Sequence, residues 1–245
     1  MMNLKTSIII FSFGAIFAAC QSSSQSSENN EAMPTPAEEA LQPKHVTEPT
    51  RHDTDDPAVW INYADPTQSL IIGTDKDQDG ALYVYDLQGN IMEDKVVRNL
   101  QRPNNVDVEY GLFLNDKPTD IAVTTERFTH KLRIFTLPDM QAVDGGGIPV
   151  FEGETGEEFR DLMGIALYKR PDDGEVYAIV GRKNGPTDGT YLWHDRLFDS
   201  GSGNVGAELV RKFGQFSGQK EIEAIAIDDS LGFVFYSDEG VGVRQ

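Results

Sequence analysis

Cysteine is almost absent: Cys20 is the only one in 245 residues, so an intrachain disulfide, a thiolate metal cluster and a redox pair are all excluded. Basic residues are scarce, 21 against 40 acidic ones, for a formal net charge of −19. Such a balance repels phosphate backbones and anionic membrane surfaces, so nucleic acid is excluded as a partner. The four histidines, His45, His52, His130 and His194, show no paired spacing and no HExxH arrangement, which leaves zinc poorly served. There is no GxSxG elbow, no Walker loop and no kinase signature. Beyond the N-terminus no long apolar run and no sustained helical period occurs.

The N-terminus reads as an export signal over residues 1–19. Lys5 opens it, Ser7 to Phe17 is mostly apolar yet too short to span a bilayer, and Ala18-Ala19 supplies small residues for cleavage. Cys20 directly afterwards resembles the lipobox cysteine of bacterial lipoproteins, which becomes acylated. Residues 20–49 then form a lipoprotein anchor and a Ser-, Gln-, Glu- and Pro-rich tether with almost nothing to bury. The expectation is an exported protein held to the membrane through a lipid anchor only, facing the periplasm or the cell surface, and acting as a monomer.

Residues 50–245 predict an all-β domain. Short segments rich in Val, Ile, Tyr, Phe and Trp alternate with Asp/Gly/Pro/Asn turns. Units starting near Asp55, Asn104, Asp161 and Glu221 recur every 50–60 residues, a period that suits propeller blades. About four blades are present, the fourth reaching only its second strand before Gln245, so the propeller is expected to be incomplete at its C-terminus. The second strands, IIGTDK, IAVTTER, AIVGRK and VFYSDE, end on Lys76, Arg127, Lys183 and Glu239. Equivalent strand ends of a propeller converge at one channel mouth. First-strand starts add Asp55, Asp56, Asp107 and Glu223.

Carboxylates gathered in one place are hard oxygen ligands suited to Ca²⁺. Arginine and lysine beside them suit a phosphorylated substrate, gripped bidentately by Arg and by point charge from Lys. With other catalytic schemes absent, attack on phosphorus by a metal-activated water remains. Asp75, Asp77, Asp79 and Gly80 imitate an EF-hand loop, but strands flank them, and a tight acidic hairpin is the expectation.

These residues also resemble the bacterial β-propeller phytases. The likeness covers about Thr50 to Gln245 and is carried by DDPAVW, NNVDVEY, the TER segment, MGIALYKRP, GRKNGP and EIEAIAIDD followed by YSDEG. It implies a six-bladed propeller fold and calcium-dependent release of phosphate from phytate or other phosphate esters, taken as the calcium complex. It also implies that Asp55, Asp56, Asp107, Glu223 and Glu239 fall among the family's calcium ligands, with Asp56 and the Val106 to Asp107 segment at a structural calcium site. Lys76, Arg127 and Lys183 fall where the family contacts phosphate, and these three with Glu239 are the catalytic candidates. The chain departs from the family at Met163, where some members carry an active-site tyrosine, and at Asn184, where some carry glutamate. Two alternatives stay open: a calcium-dependent lactonase-like propeller, and a non-catalytic binding module. Three converging cations argue against the lactonase, since a lactone has no charge to meet them.

Overall fold

The computed structural model describes residues 40–201 and 203–245, and the compact unit runs Pro43–Gln245. The export signal, Cys20 and most of the tether lie outside the described residues. Val46 and Thr47 lie against Gly89, and Glu48 is bonded there: its amide donates to the Gly89 carbonyl at 2.8 Å and its carboxylate accepts the Ile91 N–H at 2.6 Å.

Four antiparallel sheets are arranged as propeller blades, each a meander in chain order. The first comprises β1 (Thr54–Trp60), β2 (Leu70–Asp75), β3 (Gly80–Tyr85) and β4 (Val97–Leu100). The second comprises β5 (Pro103–Leu114), β6 (Lys117–Glu126), β7 (Lys131–Leu137) and β8 (Ile148–Pro149). The third comprises β9 (Leu162–Lys169), β10 (Val176–Arg182), β11 (Leu192–Asp199) and β12 (Val205–Phe213). The fourth comprises β13 (Ile222–Asp228), β14 (Phe233–Asp238) and β15 (Gly242–Arg244). The pattern of the sequence predicts three strands per blade and a fourth blade ending after its second. Blades one to three carry a fourth, outer strand, and blade four continues past its second strand into β15.

Strand alternation explains where the core sits. The innermost strands β1, β5, β9 and β13 pack on one another in order, and each pair of blades encloses a separate apolar layer. Ile72, Leu82, Val84, Ala122 and Phe135 fill the first layer, and Ile121, Ile134, Leu162, Ala178 and Val180 the second. Tyr191, Phe216, Ile222 and Tyr236 fill the third. Trp60 and Trp193 are both buried, in the first and second layers. In blade four, Ile225, Ile227, Val234 and Tyr236 face blade three, and the opposite parity leaves Phe233, Phe235 and Val243 exposed.

The acidic hairpin between β2 and β3 is a turn built on Asp75. Its buried carboxylate accepts the amides of His52 and Asp53 at 2.9 and 2.8 Å and meets the His52 ring at 2.8 Å. A carboxylate so fully occupied is a local clamp on the entry to β1 rather than a helix-flanked ion loop.

Candidate functional site

A shared irregularity shapes one end of every blade. Thr54 pairs with Asp75 and Pro57 with Gly73, so the inner strand advances three residues while its partner advances two. The same shift separates Pro103 from Val106, Leu162 from Ile165 and Ile222 from Ile225. Each is a β-bulge, which leaves an extra residue unpaired and re-aims side chains. The bulged pairs are Asp55-Asp56, Asn104-Asn105, Met163-Gly164 and Glu223-Ala224. Spacing had started blades three and four at Asp161 and Glu221; the register places the equivalents of Asp55 and Asn104 two residues later, at Met163 and Glu223.

The four charged strand ends are equivalent in the structure as well. The amide of Lys76 donates to the Asp53 carbonyl at 2.7 Å, Arg127 to Arg102 at 3.1 Å, Lys183 to Asp161 at 2.8 Å and Glu239 to Glu221 at 3.2 Å. One backbone bond, repeated four times, fixes where these side chains start.

From there the side chains form a nearly continuous polar arc. Lys76 Nζ lies 2.8 Å from Asp55 Oδ2. The Asp56 carboxylate accepts the Val106 amide at 3.4 Å, across the junction to blade two. Asn104 Nδ2 donates to Asn105 Oδ1 and, across to blade four, to Glu223 Oε1, both at 2.7 Å. Arg127, buried, donates through Nη2 to Asn104 Oδ1 and Met163 Sδ and through Nε to the Leu162 carbonyl. Glu221, Glu223 and Glu239 each offer an oxygen, and the three oxygens lie within 4.8 Å of one another. Lys183 Nζ closes the arc 2.8 Å from Glu221 Oε2.

Two cavities open on this arc and share Glu239. One, about 250 Å³, is lined by Asp55, Asp56, Asn105, Glu223 and Glu239 among others. The other, about 400 Å³, is lined by Glu158, Lys183, Asn184, Lys220, Glu221 and Glu239, together with Gly218. Burial raises the Asp56 carboxyl above its usual range, the Val106 amide and Asn105 oppose that, and Asp55 and Glu223 add repulsion. Burial lowers the Arg127 guanidinium, with Arg102 repelling it and Glu221, Asp161 and Glu223 holding it charged. Carboxylates crowded and partly desolvated in this way favour a bound cation.

Asp107 is not at the mouth. It sits further along β5, where its carboxylate accepts the Leu167 and Val108 amides at 2.7 and 2.8 Å. Burial pushes it up to about 6, with Asp56 and Asp229 adding repulsion. Asp55, Asp56, Glu223, Glu239 and Lys183 line the two cavities, and Lys76 and Arg127 join them through Asp55 and Asn104; Asp107 lines neither cavity and bonds to backbone amides. Sequence reading missed Asn104, the bridge between Arg127 and Glu223, although the bulge alignment pairs it with Asp55. It also missed Glu221, which occupies the position of Asp53, Arg102 and Asp161 in the repeated backbone bond.

The family model described as Phytase matches residues 3–245 of this chain. Among curated proteins, the 3-phytase of Bacillus subtilis (strain 168) is 30% identical over 190 residues, covering 76% of this chain and 45% of that protein. The chain therefore spans less than half the length of that relative.

Proposed function

The chain belongs to the phytase family, and on that footing we propose that it is a phosphoric monoester hydrolase that releases phosphate from phytate, with calcium held at the propeller mouth. The observation that carries this reading is the polar arc itself, in which Asp55, Asp56, Glu221, Glu223, Glu239 and Lys183 line two adjoining cavities and Lys76 and Arg127 are tied to that wall through Asp55 and Asn104. Neutral substrates give no use for the cations, and a cation alone gives no use for Arg127 and Lys183 beside its ligands.

The donor set fits calcium. Glu221, Glu223 and Glu239 offer carboxylate oxygens close enough to share one ion, with no histidine or cysteine in the group among the described residues, and Asp55 and Asp56 continue the same wall. When bound, calcium supplies positive charge to the phosphoryl oxygens and lowers the pKa of a bound water. The protein's own groups do the rest. Arg127 is held by Asn104, Met163 and Leu162 before any substrate arrives, so little freedom is lost when it grips phosphate. Lys183 lines the larger cavity and Lys76 is paired with Asp55 on the wall of the smaller one, and the two orient the phosphoryl group by point charge from opposite ends of the arc. Glu239, which lines both cavities, is the proposed acceptor of the attacking water's proton.

The proposal extends to export and to a lipid anchor at Cys20, with residues 20–49 as tether and the folded domain acting as a monomer; it rests there on sequence alone. The site reading is tested by phosphate release from phytate with Lys76→Ala, Arg127→Ala and Lys183→Ala beside the wild type. Losing a preorganised cation is expected to lower kcat/KM about 100-fold or more. Three variants as active as the wild type would remove the mouth from consideration.

A further inference from the structure

Glu221 stands in two relationships at once. Its Oε2 is 2.8 Å from the Lys183 ammonium, a contact made across the junction between blades three and four. The same residue belongs to the carboxylate trio with Glu223 and Glu239. Its carbonyl is tied to the Glu239 amide at 3.2 Å, which anchors the backbone and leaves only the side chain to rearrange. Both partners of the ion pair line the larger cavity and are partly exposed, 33% for Lys183 and 26% for Glu221.

Resting on the phosphohydrolase reading above, we infer that Glu221 is a shared carboxylate that couples cation and phosphate binding: it neutralises Lys183 in the cation-free site and turns to the cation when one arrives. Three carboxylates this close repel one another, and one ammonium relieves only part of that repulsion. A divalent ion, with twice the charge and room for six or more oxygens, outcompetes it for Glu221. Lys183 is then left beside a bound cation without its counter-ion, in a cavity open to solvent, and an anion is what it attracts. Phosphate binding is therefore suppressed without the cation by the Glu221 contact itself, over and above the direct attraction between cation and phosphate. Linkage requires phosphate to tighten cation binding by the same factor.

The test is calorimetric binding of inorganic phosphate to the full chain, with excess chelator and with calcium, for wild type, Glu221→Gln, Glu223→Gln and the double variant Glu221→Gln with Lys183→Met. In chelator, Glu221→Gln is expected to bind phosphate about five-fold tighter than wild type. That gain should be absent in Glu223→Gln and should vanish when Lys183 is also replaced. Glu221→Asp, one methylene shorter and still charged, should move the same way by less, which guards against a folding defect in the amide variant. No gain in chelator, a gain that survives loss of Lys183, or an equal gain in Glu223→Gln would overturn the inference. Wild type that binds calcium and phosphate without these differences sinks the coupling role alone, whereas wild type that binds neither sinks the phosphohydrolase reading with it.

Discussion

Replacing Gly164 with alanine should disturb the mouth without touching any charged group. Gly164 is the second residue of the blade-three bulge, and a Cβ built on it would lie 1.9 Å from the Glu223 carbonyl oxygen. An ordinary C···O separation is about 3.3 Å, so the start of β13 would have to retreat by roughly 1.4 Å, taking Glu223 with it. Overpacking of this kind costs about 1–3 kcal/mol, and an ångström of misplacement in a reacting constellation costs about 100-fold in rate. Gly73→Ala is the matched control, because its nearest neighbour would be a Tyr85 ring carbon at 3.7 Å, an ordinary contact. Urea midpoints and phosphate release from phytate should separate the two: Gly164→Ala loses both stability and activity, and Gly73→Ala stays within about 0.5 kcal/mol of wild type. A Gly164→Ala protein as stable and active as wild type, or a Gly73→Ala protein equally damaged, would refute the reasoning.

Asn104→Ala should lower kcat/KM for phytate by more than it lowers stability, since it releases Arg127 and Glu223 together; unfolding and rate measured side by side check this. Arg182 is wholly buried, donating to the carbonyls of Phe159, Thr190 and Tyr191 and pairing with Glu154 at 3.1 Å. Glu154 keeps its pairing with Lys212, so Arg182→Met should cost about 1–3 kcal/mol, chiefly from the three carbonyls left without a donor, in a denaturant titration. Asp195 is buried on β11, its Oδ2 has no hydrogen-bond partner among the described residues, and burial pushes its carboxyl up to about 7. The folded state then holds the proton more tightly than the unfolded one, so this group's contribution falls as pH rises from about 4 to about 7. Asp195→Asn should match wild type near pH 4 and gain on it above pH 7, by up to about 4 kcal/mol; parallel stability profiles would contradict the assignment.

The sequence carried the repeat because the charged strand ends are local features: a two-residue alternation running into Lys76, Arg127, Lys183 and Glu239 can be read without knowing what faces what. Outer strands were harder. β12 exposes most of its length and β8 has two residues, so neither leaves an apolar period to find. The bulges were invisible because an extra residue in one strand shows only in the pairing, and that displaced the starts of blades three and four by two residues. Asn104 carries no charge and acts on Glu223, 119 positions away, a contact that no spacing rule reaches. Asp107 was grouped with the mouth as a first-strand carboxylate and through the family likeness, although the period of two sets it one step beyond Asn105 along the same face.

The most direct measurement is phosphate release from phytate by the chain in calcium and in excess chelator, with Glu223→Gln and Glu239→Gln alongside. Release that needs calcium, returns when calcium is restored and is lost in both variants is the expected result. Release that continues in chelator, or that persists undiminished in both variants, would contradict a calcium-dependent hydrolase working at this mouth.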